Sequence, residues 1–197
     1  MDLLYISPEF PPNYAHFIEN LNSLGVSVWG LGETDFYFMP ASLRSALTWY
    51  VQTDLNNADA VQQALEELLV QKKASGHAKN FDLVESHNEQ WLTLEGMINE
   101  KYGIDGIKQQ DLPRLKKKSI MKQLFKDCGL AVARGERIAD INHALDLADT
   151  LGYPLILNPD EGVGAGGIYR VENEDQLKSY LSHLTEDYLI EEFIEGD

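Results

Sequence analysis

The sequence has 197 residues, of which 44% are hydrophobic, and a formal net charge of −16. This length allows one large or two small domains, and the hydrophobic content argues for a packed core and against wholesale disorder. The acidic charge disfavours nucleic acid and anionic membranes as general partners, and no apolar run approaches the ~20 residues of a membrane helix. The single cysteine, Cys128, excludes an internal disulfide and is compatible with a reducing cytoplasm.

The first half of the sequence alternates short apolar strands with amphipathic helices. In chain order the predicted elements are strand Leu3–Ile6, helix Tyr14–Leu24, strand Val26–Leu31, strand Trp49–Thr53, helix Ala58–Lys73, strand Phe81–Glu85 and helix Asn88–Tyr102. Because such alternation builds parallel β-α-β units, it predicts an α/β domain with a Rossmann-like, doubly wound parallel sheet. We assign this domain to residues 1–112, so that it ends within a linker at Ile104–Arg114.

The second half, residues 113–197, predicts an α+β unit with hairpin-like strand pairs. Its predicted elements are helix Leu115–Cys128, strand Val132–Ile138, helix Ile141–Leu151, strand Pro154–Leu157, strand Ile168–Val171, helix Asp175–Leu184 and strand Tyr188–Ile194. The sequence stops directly after the last strand, so we expect the fold to continue beyond Asp197. An exposed edge strand there would invite pairing with a second copy, which makes a homodimer one expectation.

Four glycines, Gly162, Gly164, Gly166 and Gly167, lie between two predicted strands of the second unit. Glycine lets backbone amides approach a ligand closely, and amides that point into one concavity bind phosphate oxygens. The pattern differs from the Walker motif, which needs Lys and then Ser or Thr before a helix. Two interpretations stay open, a phosphate-binding loop and a flexible hairpin tip.

Two other features each allow two interpretations. Ten of the 16 Lys and Arg residues lie between Lys101 and Arg137, which indicates either a local anion site or a solvated helix face. Ser86 and Asn88 follow the fourth predicted strand, where they either cap the next helix or leave its amide end ready for an anion. The five histidines show no metal-ligand spacing, so the sequence predicts no zinc site.

The order of helix, strand, glycine-rich loop and last strand resembles the ATP-grasp superfamily, as seen in biotin carboxylases, carbamoyl phosphate synthases and D-alanine ligases. The resemblance is closest over Leu115–Asp197 and extends more loosely to the N-terminal half, which resembles the domain that precedes the grasp fold. It implies that Lys118, placed by its spacing from Gly129, reaches the nucleotide phosphates; a surface lysine is the alternative. Where the family usually reads Ile-Leu-Lys-Pro, with a basic residue on the α/β-phosphates, this sequence has Asn158.

The last strand resembles the family hinge that holds adenine. By that resemblance Glu191 approaches the exocyclic amine, the backbones of Glu192 and Ile194 pair with the purine edge, and Phe193 packs nearby. The implied cofactors are ATP and Mg²⁺, with the metal ligands beyond residue 197. We therefore expect a segment, inactive alone, of a carboxylate–amine or carboxylate–thiol ligase that phosphorylates a small carboxylate to an acyl phosphate.

Two other functions stay open at this point. Asn158 also favours a degenerate grasp module that binds a nucleotide or a partner without turnover. A Rossmann-type binding protein without ATP chemistry is the other alternative, although the Pro-rich segment Ser7–Pro12 after the first strand lacks the dinucleotide fingerprint. No catalytic residue is assigned from the sequence.

Overall fold

The computed structural model describes residues 1–162 and 166–196. Contacts divide the chain into two compact units, Met1–Gln110 and Asp111–Asp197. Each unit contains its own clusters of buried apolar side chains. None of the helices in the described part of the chain combines the length and the apolar character that crossing a bilayer requires.

The first unit is a parallel sheet with helices on both faces. Its elements are β1 (Asp2–Ile6), α1 (Tyr14–Ser23), β2 (Ser27–Gly32), α2 (Ala41–Ala46), β3 (Leu47–Gln52), α3 (Ala58–Ala74), β4 (Leu83–Glu85) and α4 (Leu92–Tyr102). The strands pair in parallel in the order β3-β2-β1-β4. Leu3 and Tyr5 pack with α1 and α2, whereas Leu4 and Ile6 pack with α3 and α4, so β1 is buried throughout. The predicted doubly wound α/β architecture is confirmed.

One helix of this unit was not predicted. The short helix α2 follows Pro40 and buries Leu43 and Ala46, and β3 begins directly after it at Leu47, two residues before the predicted start. Its six residues are too few for helical periodicity to emerge from the sequence.

A buried charged cluster ties α3 to the start of β1. The side chain of Lys72 is fully buried; its Nζ lies 2.5 Å from Asp2 Oδ2 and donates to the carbonyls of Ala78 (2.8 Å) and Asn80 (3.0 Å). Trp29 Nε1 donates to Asp2 Oδ1 at 3.2 Å. Burial alone would raise the pKa of Asp2, but the hydrogen bonds from Lys72 and Trp29 hold it below its ordinary value.

The second unit is an antiparallel sheet with two helices on one face. Its elements are α5 (Leu112–Lys116), α6 (Lys118–Asp127), β5 (Gly135–Arg137), α7 (Ile141–Leu151), β6 (Leu155–Pro159), β7 (Tyr169–Val171), α8 (Glu174–Leu181) and β8 (Tyr188–Glu192). The strands pair in the order β5-β8-β6-β7. Buried residues of the sheet pack with Ala148 of α7 and Leu177 of α8. The predicted α+β unit is therefore present.

Three predictions for this unit are corrected. The predicted helix Leu115–Cys128 is interrupted at Lys117, whose ψ of 113° is extended, so α6 begins at Lys118. The last strand ends at Glu192 rather than at Ile194. It is not the exposed edge that the sequence predicted, because β8 pairs with both β5 and β6 and is an interior strand.

Candidate functional site

The two faces of the antiparallel sheet carry different side chains. Leu155 and Leu157 of β6 and Ile190 of β8 lie on the face that packs on α7 and α8. Because side chains alternate along a strand and paired residues share a face, a second set lies on the opposite face. We call this the site face, and its residues on β6, β7 and β8 are Ile156, Asn158, Arg170, Leu189 and Glu191.

Lys118 begins α6 and reaches the loop that follows β6. Its Nζ donates to the carbonyl oxygens of Pro159 at 2.8 Å and Gly162 at 3.3 Å. Its backbone N–H donates to the carbonyl of Asp160 at 2.9 Å. The ammonium of this predicted phosphate ligand is thus fixed beside the first glycine of the glycine-rich segment.

Asp160 holds the start of α6 from a distance of 41 residues in the sequence. Its side chain is buried, its Oδ1 accepts from the Ser119 N–H at 2.7 Å, and its Oδ2 accepts from Ser119 Oγ at 2.9 Å. A carboxylate in this position satisfies an unpaired amide of the helix terminus and interacts favourably with the helix dipole. The sequence did not predict this role of Asp160, because the sequence signal for a helix cap lies directly next to the helix.

Lys122, Glu191 and Asn158 form a connected polar group on the site face. Lys122 is 9% exposed, and its Nζ forms an ion pair with Glu191 Oε1. Asn158 Nδ2 donates to Glu191 Oε2 at 3.3 Å, which is the diagonal contact that the strand register allows. Asn158 Oδ1 is buried without a hydrogen-bond partner among the described residues. Lys122 is therefore a buried, ion-paired lysine rather than an exposed one.

The glycine-rich segment contains glycines of two kinds. Gly162 (φ +132°) and Gly166 are open: a Cβ at either position would meet no atom of the described residues within 4 Å. Gly167 (φ +77°) packs closely, since a Cβ there would lie 2.8 Å from the Tyr188 hydroxyl and 3.0 Å from Pro159 Cγ. Gly164, also predicted to bind phosphate, lies outside the described residues. Packing therefore requires glycine at 167, whereas positions 162 and 166 leave room for a ligand.

The predicted hinge is only partly free to bind a purine. The N–H of Glu192 donates to the Arg134 carbonyl at 2.9 Å, and its carboxylate accepts from the Arg134 backbone N–H and Nε at 2.6 Å each. These hydrogen bonds hold the pKa of Glu192 below its ordinary value. The Arg170 guanidinium lies over the Phe193 ring, with its Cζ 4.3 Å from the ring centroid. Ile194 is 62% exposed. The assigned roles of Glu191, Glu192, Phe193 and Ile194 in binding adenine remain predictions.

The glycine that opens β5 is required by the hinge strand. Gly135 has φ +138°, and a Cβ there would lie 2.1 Å from the Ile190 carbonyl oxygen and 2.7 Å from Glu191 Cα. A side chain at this position would push β5 away from β8. Gly135 thus keeps the backbone beside Glu191 in place, a role that the sequence analysis did not assign.

In the first unit, the residues after β4 form a local hydrogen-bonded turn. Asn88 Oδ1 accepts from the Gln90 N–H at 3.0 Å, so Asn88 caps the 3₁₀ turn Glu89–Trp91 that leads into α4, in line with the capping interpretation of the sequence. Ser86 Oγ contacts the buried Glu95 Oε2 at 3.1 Å and the Asn88 carbonyl at 3.2 Å. Burial, with the nearby charge of Glu85, raises the pKa of Glu95 to about 7. A neutral Glu95 can donate to Ser86 Oγ and leave the serine proton for the Asn88 carbonyl.

Within residues 1–162 and 166–196, no three His, Cys, Asp or Glu side chains are grouped so that they could hold a metal ion. Acidic side chains do lie near α6, where Glu161 pairs with Lys117 at 3.5 Å. The site described above combines cations and backbone amides with carboxylates that are already ion-paired or hydrogen-bonded. Such a set is suited to an anionic ligand with a polar ring.

Comparison with known proteins agrees with this arrangement. Residues 117–196 match the family described as carbamoyl-phosphate synthase L chain, ATP binding domain. The carbamoyl phosphate synthase large chain of Thermotoga neapolitana is 24% identical over 140 residues, which are 67% of this chain and 13% of that protein.

Solved structures extend the similarity to both units. An L-amino acid ligase from Bacillus licheniformis superimposes with a TM-score of 0.70 at 22% identity, over 99% of this chain and 44% of that one. The biotin carboxylase domain dimer of Hydrogenobacter thermophilus 2-oxoglutarate carboxylase, in complex with MgADP, ADP and bicarbonate, gives 0.71 at 16% identity, over 98% and 44%. The chain thus spans less than half the length of these proteins.

Both units have the fold of these solved structures, and residues 117–196 are similar to the ATP-binding domain of the carbamoyl-phosphate synthase L chain. These two similarities agree with the resemblance to the ATP-grasp superfamily that the sequence showed.

Proposed function

We propose that the site face binds ATP as part of a carboxylate–amine or carboxylate–thiol ligase. The observation that carries this proposal is the convergence of Lys118, the glycine-rich segment and Glu191 within the region that matches the ATP-binding family. Lys118 and the amides near Gly162 and Gly166 bind the phosphates. Glu191 and the hinge backbone from Glu192 to Ile194 bind adenine, with Phe193 beside it.

The chemistry of such a ligase follows from charge neutralisation and positioning. The γ-phosphoryl group is transferred from ATP to an oxygen of a small carboxylate, which gives ADP and an acyl phosphate. An amine or thiol then attacks the acyl carbon and releases inorganic phosphate. The contribution of this chain is to hold the phosphates with Lys118 and the loop amides and to orient the base with Glu191.

Magnesium does not fit the residues that the structure describes, because they bring no suitable set of ligands together. We place the Mg²⁺ ligands outside residues 1–197 and derive no step through the metal from this chain. This segment is accordingly expected to bind nucleotide without turning it over. A homodimer also remains a proposal, supported by the dimer reported for the biotin carboxylase domain.

Asn158 favours a second candidate function, a grasp module that binds nucleotide without phosphoryl transfer. Its side-chain donor contacts Glu191, and its buried oxygen has no partner among the described residues. An amide in this arrangement offers no charge to the phosphates, and one of its two N–H donors is bonded to Glu191. Formation of ADP by the full-length protein in the presence of a carboxylate and an amine would contradict this candidate.

Calorimetry tests nucleotide binding directly. We expect the chain to bind MgATP and the Lys118→Ala variant to bind it at least ~10-fold more weakly, since a hydrogen bond to a charged group contributes about 1.5–3 kcal/mol. Lys126→Ala, an exposed lysine near the end of the same helix, is the matched control and should leave affinity unchanged. Equal affinity in the Lys118→Ala variant would contradict the phosphate role of Lys118, and no binding by the unaltered chain would contradict the proposal for these residues.

A further inference from the structure

The cations close to Asn158 on the site face already have protein partners. Lys122 is paired with Glu191, and Lys118 donates to two loop carbonyls. At position 158, strand β6 carries an asparagine amide where the ATP-grasp superfamily usually has a basic residue. A nucleotide bound here would therefore gain from a further positive charge near β6.

Strand β7 provides that charge. Arg170 pairs in register with Ile156 of β6, and Ile156 pairs on its other side with Glu191 of β8. Paired residues share a face, so Arg170, Ile156 and Glu191 form one row across the site face. Arg170 lies on the strand that directly follows the glycine-rich segment and is one strand away from Asn158.

The Arg170 side chain extends across the sheet. Its guanidinium lies over the ring of Phe193, which follows β8, whereas β6 separates β7 from β8. Its Nε pairs with Glu172 at 2.8 Å, and the side chain is 52% exposed. The guanidinium has four more N–H donors on its two terminal nitrogens, and its planar fork matches phosphate oxygens. Although Glu172 pairs with its Nε, Arg170 is half exposed and presents the donors of its two terminal nitrogens over the site face in a form that a phosphate can use.

We propose that Arg170 binds the nucleotide phosphates and supplies the charge that Asn158 does not. This inference rests on the proposed ATP-binding function and adds a specific phosphate ligand to it. Phe193 supports the guanidinium through a cation–π contact, and Glu172 keeps it oriented.

The test compares ligands with and without phosphates by calorimetry. The ligands are ATP, ADP and adenosine, and the variants are Arg170→Gln and, as a matched loss of one positive charge, Lys178→Gln. Lys178 is 47% exposed, is paired with Glu174, and lies on α8 behind the other face of the sheet. We expect Arg170→Gln to weaken ATP and ADP about tenfold, the size of one charge-assisted contact, and to leave adenosine unchanged. Lys178→Gln should change none of the three affinities.

Several outcomes separate the inference from the function on which it rests. Equal weakening of adenosine would place Arg170 against the base and overturn the inference, as would an unchanged ATP affinity in Arg170→Gln. Absence of nucleotide binding by the unaltered chain would contradict the proposed function itself. If Arg170→Gln fails to fold by circular dichroism, Arg170→Met removes the charge and keeps an unbranched side chain, and the same outcomes for ATP, ADP and adenosine then support or overturn the inference.

Discussion

Glu191 is the residue on which the polar group of the site face depends. Its two carboxylate oxygens accept separately from Lys122 and Asn158, so one cation and one amide share it. A lysine at position 158 would bring a second ammonium to the same carboxylate. We therefore expect Asn158→Lys to raise ATP affinity by less than one charge-assisted phosphate contact would, because the new ammonium also interacts with the Glu191 carboxylate. Calorimetry on that variant checks this, and a gain above about tenfold would contradict it.

Removal of Lys122 should destabilise the second unit. Lys122→Met leaves the half-buried Glu191 without its cation, and breaking a buried pair in this way costs about 3 kcal/mol. The measurement is urea unfolding followed by circular dichroism. Tryptophan fluorescence provides an internal reference, since Trp29, Trp49 and Trp91 all lie in the first unit.

Two further variants test whether the loss of stability arises from the broken Lys122–Glu191 ion pair. Adding Glu191→Gln to Lys122→Met removes the unpaired charge and should restore much of the lost stability. Lys126→Met makes the same substitution at an exposed position on α6 and should have little effect. A similar loss in both single variants would mean that helix propensity, rather than the ion pair, is responsible.

Spacing along the sequence is sufficient to predict individual site residues, but it does not reveal residues that act through contacts between distant segments. Lys118 was found from its distance to Gly129, and the structure fixes its ammonium beside Gly162. Lys122 lies four residues later on the same helical face, a signal that could have found it. Arg170 required strand register, since only its pairing with Ile156 reveals the shared face. No local pattern predicts the contact of Asp160 with Ser119.

The start of helix α6 depends on a residue that is distant in the sequence. Its N-terminal amide is satisfied by Asp160, which belongs to the same loop whose carbonyls bind Lys118. Asp160→Ala should therefore cost about 1 kcal/mol, as loss of a helix cap does, and should also loosen the Lys118 ammonium. We expect both lower stability and weaker ATP binding in this variant.

The matched control is Asp140→Ala, which removes an ordinary local cap. Asp140 Oδ1 accepts from the His143 N–H at 2.9 Å at the start of α7. A similar loss of stability with unchanged ATP affinity is expected there. If Asp160→Ala also left affinity unchanged, the link between the cap and the nucleotide site would be wrong.

Elements with strong periodicity were predicted, and those set by tertiary contacts were not. Strands β1 and β2 and helix α3 follow from apolar runs and helical spacing, because burial on a sheet dictates those patterns. The break between α5 and α6 was missed, since the lysines around Lys117 carry no turn signal. The interior position of β8 depends on its antiparallel pairing with β5, which a sequence of short strands does not encode.

At the scale of the whole molecule, three of the ten Lys and Arg residues between Lys101 and Arg137, here called the basic island, are paired with acids of the second unit. Lys117 pairs with Glu161, Arg134 with Glu192, and Arg137 with Asp187. Those pairs are partly exposed and contribute little to stability. Neither of the two interpretations from composition is therefore sufficient. Three of its ten members form ordinary surface pairs, and Lys118 and Lys122 are the members directed to the site face.

The first unit should lose stability as the pH rises from about 4.3 to about 7. Glu95 has an ordinary pKa near 4.3 when unfolded and about 7 in its buried position, so the folded state holds its proton over this range and the unfolded state does not. The stabilising contribution is complete below the unfolded pKa and is lost as the pH passes the folded pKa. Between pH 5 and pH 8 the free energy of unfolding should fall by roughly 2–4 kcal/mol.

Urea unfolding of the first unit, followed by tryptophan fluorescence at pH 5 and pH 8, measures this loss. Glu95→Gln is the control, because its amide keeps the size of the side chain and can still donate to Ser86 Oγ while it cannot ionise. The pH dependence of the unaltered chain should exceed that of Glu95→Gln by the stated amount, since all other groups are common to both. Equal slopes would mean that Glu95 is already ionised when folded. In that case Ser86 Oγ would give its proton to the carboxylate instead of to the Asn88 carbonyl.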